Sequence, residues 1–155
     1  MSAYRAAMEA RDPAALAAAC TPDVAFNSPI SMRVRFEGRQ QFADLFRSVL
    51  EVYDDIRCVG EHESGTTSVL HLHARVGFEE LDEIQLLRLD DQGQVREITM
   101  FVRPLPGLAA LTAALPSRLV RRRSRAGAVL VALMTRPLAA ATRIGDRLGA
   151  RLIKP

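Results

Sequence analysis

The hydrophobic pattern of the chain changes from a helical period to a strand period near residue 55, and this change restricts the fold strongly. Before it, six apolar residues recur at spacings of three, one, three, one and three, the pattern of an amphipathic helix: Phe42, Leu45, Phe46, Val49, Leu50 and Tyr53. After it, β-rich segments at 56–62, 66–76, 81–89 and 95–103 are separated by turn signals. Helices followed by a strand meander predict an α+β fold, with helices gathered on one side of an antiparallel sheet.

The residues before this helix predict two short helices and one strand. Ser2 is suited to cap the first helix, and Asp12, which precedes a proline, is suited to cap the second. We expect the second helix to continue through Cys20 and a short strand to cover residues 24–27.

The charge of the chain is divided between two unequal parts. Residues 1–104 hold 11 arginines against 17 acids, a net charge of 11 − 17 = −6, and residues 105–155 hold ten basic residues against one acid, or +9. The sequence therefore predicts an acidic domain over residues 1–105 and a basic, helical C-terminal extension over residues 106–155. Because the acidic domain has its own predicted sheet and covering helices, we expect it to fold, and any pocket in it to form, without the residues after Pro106.

The extension carries a helical stripe of charge beside an apolar stripe. The basic residues are Arg143, Arg147, Arg151 and Lys154, and the apolar ones are Ile144, Leu148 and Leu152. Three interpretations stay open: docking on the acidic body of a dimer of the chain, contact of residues 118–154 with an anionic membrane surface, and nucleic-acid binding. No aromatic residue follows Phe101, which counts against both stacking on nucleic-acid bases and deep anchoring at a membrane interface. A nucleic-acid partner is the least expected of the three.

Location and cofactors are predicted from what the sequence lacks. The first residues carry charges throughout rather than the apolar segment of a signal peptide, and the longest uncharged run near the end, residues 126–135, is too short to span a bilayer. Two cysteines, Cys20 and Cys58, do not make a disulfide framework and suit a reducing compartment. No phosphate loop, zinc spacing or dinucleotide fingerprint is present. We expect a cytoplasmic protein without cofactor or metal, with a peripheral position at a membrane as the alternative.

Several stretches of the sequence resemble nuclear-transport-factor-2-like proteins, and their SnoaL-like members in particular. They are YRAAMEARDPAAL at 4–16, PDVAFNSP at 22–29 with FEGR at 36–39, QLLRLDDQGQVREI at 85–98, and FVRPL at 101–105. The resemblance implies a cone, in which three helices close the concave side of a strongly curved antiparallel sheet around a pocket. It also implies a homodimer formed through the outer sheet face. Since this fold carries isomerases, cyclases, hydrolases and non-catalytic binders, the reaction is left open.

The resemblance assigns roles to three positions. Ketosteroid-isomerase-like members have a tyrosine on the first helix, a carboxylate base before the proline that follows the first strand, and a protonated aspartate on the penultimate strand. Tyr4, Ser28 and Gln85 stand at these positions. Tyr4 and Gln85 can donate hydrogen bonds to a ligand oxygen, whereas Ser28 cannot hold a proton taken from carbon.

A second family pattern is kept less well. Limonene-epoxide-hydrolase-like members use two aspartates and an arginine, and Arg75 matches the arginine. Gly77 and Met100 stand where the aspartates are expected. That reaction needs a carboxylate to deprotonate water, so the resemblance does not favour it here.

Alternating polar residues on one strand give further candidates. His71, His73 and Arg75 share one face of segment 66–76, and apolar residues form the other. If the apolar face meets the core, the histidines lie on the outer face of the sheet. If the polar face turns inward, His73 becomes a general acid or base beside Glu83 or Gln85. A metal site built from the histidine pair and a nearby acid such as Asp82 is a third interpretation.

The predicted pocket is mostly apolar with a few polar groups, which suits a small hydrophobic ligand bearing one oxygen. Two functions stay open: an isomerase-, cyclase- or hydrolase-type enzyme using acid/base chemistry, and a non-catalytic ligand-binding or scaffold protein. An inward-facing Glu83 or His73 favours the enzyme. The catalytic candidates are Tyr4, His73, Glu83 and Gln85, and the ligand-binding candidates are Phe26, Ser28, Phe42, Phe46, Leu87, Met100 and Val102.

Overall fold

The computed structural model describes residues 2–121 and 124–153, and it confirms the α+β class. The helices are α1 Ala3–Glu9, α2 Pro13–Ala18, α3 Arg39–Val52, α4 Leu105–Arg121 and α5 Arg125–Ile153. The strands are β1 Cys20–Asn27, β2 Arg35–Glu37, β3 Asp54–Ser64, β4 Thr67–Val76, β5 Glu79–Leu89 and β6 Val95–Arg103. The strands form one curved, open sheet in the order β2-β1-β6-β5-β4-β3.

The sheet is mixed rather than wholly antiparallel. The meander β3–β6 pairs antiparallel as predicted, and Gly77, with a φ of 61°, supplies the left-handed backbone of the β4–β5 turn. β1 then lies parallel to β6, with Phe26 opposite Ile98. Parallel strands need a long connection between them, and here α3 and strands β2–β5 lie between β1 and β6 in the chain.

The first strand is longer than predicted. β1 begins at Cys20, so the expectation that α2 continues through Cys20 is wrong. Pro22 disfavours helical backbone at the residue before it, and Cys20 pairs with Val95 in the sheet. The Cys20 carbonyl also accepts a hydrogen bond from Arg39 Nε at 2.8 Å, which ties the start of β1 to the start of α3.

The apolar stripe of α3 packs on the sheet as predicted. Phe42 and Phe46 are fully buried with ring centroids 4.4 Å apart, and the Phe46 ring meets Phe26 of β1 edge-on at 5.6 Å. These three rings join α3 to the inner face of the sheet. The pocket described below opens beside them, between α3 and the C-terminal helices.

The inner face of the sheet is not purely apolar. Leu70, Leu72 and Ala74 of β4 point inward and are buried. On β5, the same alternation turns Glu83 and Gln85 inward, where both are fully buried. Among the described residues, the fold therefore buries one carboxyl group in its core, that of Glu83, and the residues that accompany it define the candidate site.

The extension is helical, as predicted, but its first helix is part of the core. Leu111 and Leu115 of α4 are almost fully buried, and a Cβ on Gly107 would come within 2.8 Å of the Glu80 carbonyl oxygen and Leu81 Cβ. Such a close approach of helix to strand requires glycine. The expectation that the pocket forms without the residues after Pro106 assumed that these residues lie outside the core. That assumption is wrong, because α4 covers the sheet.

The second helix of the extension packs on α4 and is mostly exposed. Within the described residues it is the one helix long and apolar enough to cross a membrane by length and composition, over Arg125–Leu152, and its most apolar 18-residue stretch has a mean hydropathy of 1.3. The prediction from the sequence considered only the uncharged run of residues 126–135 and so underestimated the length of the apolar segment, because apolar residues continue after Arg136.

Candidate functional site

A pocket of about 670 Å³ lies between α3, the β1–β2 connection, β6 and α4. Its wall is mainly aliphatic and aromatic, a composition typical of sites for small hydrophobic molecules. The connection supplies Ser28, Pro29, Ile30, Ser31 and Val34; α3 and its next residue supply Gln41, Asp44, Leu45, Val49 and Tyr53; α4 supplies Leu111, Leu115, Pro116, Leu119 and Val120; the sheet supplies Phe26, Phe36 and Met100.

The structure brings three of the seven predicted ligand-binding residues into this wall: Phe26, Ser28 and Met100. The other four do not line it. The rings of Phe42 and Phe46 pack against each other and against Phe26. Leu87 and Tyr4 instead line a separate cavity of about 50 Å³. Val102 packs on the edge of the core. Their predicted roles as pocket-lining residues are wrong because α4 takes the wall positions that the sheet and α3 were expected to fill.

A chain of four buried polar side chains runs through the core beside the pocket. The Tyr4 hydroxyl donates to Gln85 Oε1 at 2.7 Å, and Gln85 Nε2 donates to Glu83 Oε1. On the far side, the Tyr53 hydroxyl donates to Glu83 Oε2 at 2.5 Å. All four residues are at most 2% exposed, so their hydrogen bonds replace the water that each polar group has lost.

The electrostatics of this chain favour the neutral carboxylic acid at its centre. Burial raises the pKa of Glu83, and the hydrogen bonds from Gln85 and Tyr53 oppose that shift only in part. Burial likewise raises the pKa of Tyr53 well above its ordinary value, with the charge of Glu83 acting in the same direction. Among the described residues, Glu83 has no ion pair to stabilise its charged form.

Tyr53 connects the buried chain to the pocket. It lines the pocket wall, whereas Glu83, Gln85 and Tyr4 lie behind the wall. Sequence reasoning placed Tyr53 in the apolar stripe of α3 and missed its hydroxyl. The available signal was its position at the end of that stripe, directly before a strand, where a tyrosine can bury its ring and keep a polar contact.

Of the residues to which the family resemblance assigned roles, the structure brings two into contact and leaves the others apart. Tyr4 and Gln85 share a hydrogen bond. Ser28 lines the pocket, where its Oγ accepts from the Ile30 amide at 3.2 Å. Arg75 lies outside the pocket and pairs with Asp55 at 2.6 Å, so it cannot act on a molecule bound there.

The two histidines lie on the outer face of the sheet. His73 Nδ1 is 3.3 Å and His71 Nε2 is 3.6 Å from Asp82 Oδ1, and this hydrogen bond of His73 is the main cause that lowers the pKa of Asp82. The interpretation that turned His73 inward beside Glu83 is wrong, because strand alternation places them on opposite faces. In residues 2–121 and 124–153, no cluster of three or more His, Cys, Asp or Glu side chains could hold a metal ion.

One carboxylate belongs to the pocket wall itself. Asp44 is half-buried on α3, and its Oδ1 lies 2.6 Å from Arg47 Nη1. Sequence analysis did not select it, since it precedes Leu45 on the border of the apolar stripe and reads as a solvent-facing charge. The pocket thus has one ionisable acid on its wall, Asp44, and a second one, Glu83, behind Tyr53.

The sequence model of the SnoaL-like domain matches residues 1–101 of the chain. The match covers α1 through most of β6, which includes the buried polar chain, and it ends before α4. Among curated proteins, none matches the sequence significantly.

Solved structures share the same fold. A steroid delta-isomerase from Pseudomonas aeruginosa is 30% identical, with 77% of this chain and 88% of that chain covered and a TM-score of 0.70. A protein with a cystatin-like fold from Silicibacter pomeroyi is 22% identical over 77% and 87% of the two chains, with a TM-score of 0.71. A SnoaL-like protein from Burkholderia thailandensis is 12% identical over 66% and 90%, with a TM-score of 0.56.

Proposed function

This protein belongs to the SnoaL-like family of the nuclear-transport-factor-2-like superfamily, and we propose that it binds a small hydrophobic molecule carrying one oxygen, which it polarises through Tyr53. The observation that carries the proposal is the position of Tyr53, which belongs both to the pocket wall and to the buried chain ending in Glu83. A mostly apolar wall with one polar contact selects ligands by shape and by a single hydrogen bond.

The order of donors along the chain supports this role. The Tyr4 hydroxyl donates to Gln85 Oε1, which turns the Gln85 amide nitrogen toward Glu83. Glu83 Oε1 accepts that hydrogen bond, and Glu83 Oε2 accepts one from the Tyr53 hydroxyl. When Glu83 is protonated on Oε2, the acid proton is donated to the Tyr53 oxygen instead, and the Tyr53 hydrogen becomes free for an acceptor in the pocket. A ligand carbonyl or hydroxyl oxygen is that acceptor.

Such an arrangement suits proton-transfer chemistry next to a carbonyl group. A donor fixed in a dry site stabilises the negative charge that develops on a carbonyl oxygen when a neighbouring carbon loses a proton. Asp44 is the candidate base, because it is the carboxylate on the pocket wall. It would take a proton from one carbon and return it to another while Tyr53 holds the oxygen, which moves a carbon–carbon double bond. The steroid isomerase among the related structures agrees with this class of reaction.

A second candidate function is binding without catalysis. It is favoured by Ser28 and Gln85, which stand where isomerases of this fold carry carboxylates. Neither side chain can hold an abstracted proton at neutral pH. In this case, the same Tyr53 contact would orient the ligand without changing it.

The test uses a β,γ-unsaturated ketosteroid and the matching steroid that lacks the ketone oxygen. Calorimetry measures binding, and the rise in ultraviolet absorbance of the conjugated ketone measures turnover. We expect Tyr53→Phe to weaken binding of the ketone by about tenfold, the value of one hydrogen bond to a ligand oxygen. Tyr4→Phe is the matched control, because it removes the same hydroxyl at the end of the chain away from the pocket wall.

The outcomes separate the two functions. The protein is an enzyme if the wild type converts the ketosteroid and Asp44→Asn abolishes this turnover without loss of binding. It is a non-catalytic binder if the wild type binds the ketone tightly without turnover. Equal affinity for the two steroids, or equal effects of Tyr53→Phe and Tyr4→Phe on binding, would contradict the proposed contact in either case.

A further inference from the structure

The side of α5 that faces away from the body is apolar along its length. Six large side chains on it are between 53% and 85% exposed: Leu130, Leu133, Met134, Ile144, Leu148 and Leu152. At about 100° per residue they fall within an arc of about 100° on the helix. We call this arc the apolar face of α5. Single exposed leucines are ordinary, but a continuous face over a whole helix marks a surface that meets something.

The contacts of α5 with the rest of the chain determine which side of the helix faces outward. Ala128 is buried, and Thr135, Ala139 and Thr142 on the same side are partly buried where the helix packs against the body. Arg143 Nε pairs with Glu79 Oε1 of β5, which ties the middle of the helix to the sheet. These contacts leave the apolar face turned outward.

Arginines form a flank along one edge of the apolar face. Arg125, Arg136, Arg143, Arg147 and Arg151 fall within an arc of about 80°, directly beside the apolar arc. The helix holds one acid, Asp146, so residues 125–153 carry a net charge of 5 − 1 = +4. This flank attracts an anionic partner, and its charges would be screened by salt within about 8 Å.

The fold also brings an aromatic side chain to this helix. Phe78, in the turn between β4 and β5, is 88% exposed and borders a groove shared with Arg136, Ala140 and Arg143. The sequence places no aromatic residue within α5, and Phe78 supplies one from a distant part of the chain. Aromatic rings concentrate where lipid headgroups meet the acyl chains.

We propose that α5 docks the protein flat on an anionic lipid surface, with its apolar face at the boundary of headgroups and acyl chains and its arginines at the lipid phosphates. Apolar residues beside a cationic flank on a helix of 29 residues are the features of an interfacial helix. The contact would run for roughly 43 Å at 1.5 Å per residue.

Two other occupants of the apolar face are less consistent with the structure. A second copy of α5 would bring two cationic flanks together, with one acid in each helix to offset them. A membrane-spanning α5 would place Arg136 in the hydrocarbon and would break the ion pair between Arg143 and Glu79. Both remain as outcomes of the test.

The test is co-sedimentation of the full chain with vesicles of phosphatidylcholine, alone or with roughly one third phosphatidylserine. We expect binding to the anionic vesicles that weakens as salt is added. Replacing Arg147 and Arg151 by glutamine should weaken it by about 30-fold, since each arginine near an anionic surface contributes a factor of about five. The matched control replaces Arg57 and Arg96 by glutamine, which changes the net charge equally at exposed sites outside α5.

A second pair of variants tests the apolar face. Leu133→Ser with Leu148→Ser should lower the partition coefficient by more than about tenfold, and Met32→Ser with Val59→Ser, exposed apolar sites elsewhere, should change it by less than about twofold. Circular dichroism must show equal helix content in all variants, and because these side chains are exposed we expect it to.

Three results would overturn the proposal. The first is equal binding by the α5 variants and their controls. The second is a dimer in solution that the two leucine replacements dissociate, which would mean that a second copy covers the apolar face. The third is protein that stays with the vesicles in alkaline carbonate and is protected from protease along α5, which would mean that the helix spans the bilayer.

Discussion

Replacing Leu111 by alanine tests whether α4 belongs to the core that forms the pocket. Leu111 is 1% exposed, packs within the core and also lines the pocket. Truncation of a buried leucine costs about 2–5 kcal/mol, and the cost grows with the enclosed cavity that is left. Because the space left by Leu111 joins a pocket that is already present, we expect the lower part of this range, about 2–3 kcal/mol.

Urea unfolding of the full chain measures this loss. With a slope of about 2 kcal/mol per molar urea, the midpoint should fall by about 1–1.5 M without a change in slope. Leu133→Ala on α5 is the control, because Leu133 is 67% exposed and its replacement should cost less than about 0.5 kcal/mol. Equal midpoints for the two variants, or an unchanged midpoint in a chain that ends at Leu105, would show that α4 does not stabilise the body.

Three further predictions concern individual side chains. Burial raises the pKa of Glu83, so its contribution to stability is complete below the ordinary pKa of glutamate and is lost as the pH rises through the folded-state pKa. Glu83→Gln should therefore flatten the decline of the urea midpoint between pH 5 and pH 8. Parallel declines of the wild type and the variant would contradict this. Burial raises the pKa of Cys20 to about 12, so iodoacetamide at pH 8 should modify the half-buried Cys58 first in the native protein, as peptide mass spectrometry can show; prior labelling of Cys20 would refute it. Asp12 accepts from the amides of Ala14 and Ala15, and Asp12→Ala should cost about 1 kcal/mol in urea unfolding while Asp12→Asn, which keeps the cap, costs much less.

The sequence predicted the elements of the fold well because each has a local physical cause. The stripe of α3, the turns of the meander and the cap at Asp12 act within a few residues of each other. The error at Cys20 has a non-local cause: an alanine-rich segment favours helix, but pairing with Val95 in the distant strand β6 outweighs that preference.

The site was predicted less completely because it depends on contacts between distant segments. Tyr4 and Gln85 were selected through the family resemblance, and Glu83, two residues before Gln85, shares its strand face; the three form one chain of hydrogen bonds. The contribution of α4 could not be predicted from composition, because its basic residues suggested a separate surface element. Tyr53 was missed for a related reason: its partner, Glu83, lies 30 residues away. The homodimer through the outer sheet face and the cytoplasmic location stay predictions.

The direct test of the central proposal is the infrared stretching frequency of the carbonyl group of a bound ketosteroid, isolated by ¹³C labelling. A hydrogen bond from Tyr53 polarises the carbonyl group, so its frequency in the wild-type complex should lie below that in an apolar solvent. Tyr53→Phe should return the frequency toward the apolar value, and Tyr4→Phe should leave it near the wild-type value. A carbonyl frequency that is the same in the wild-type and Tyr53→Phe complexes would contradict the proposal that Tyr53 polarises the ligand oxygen.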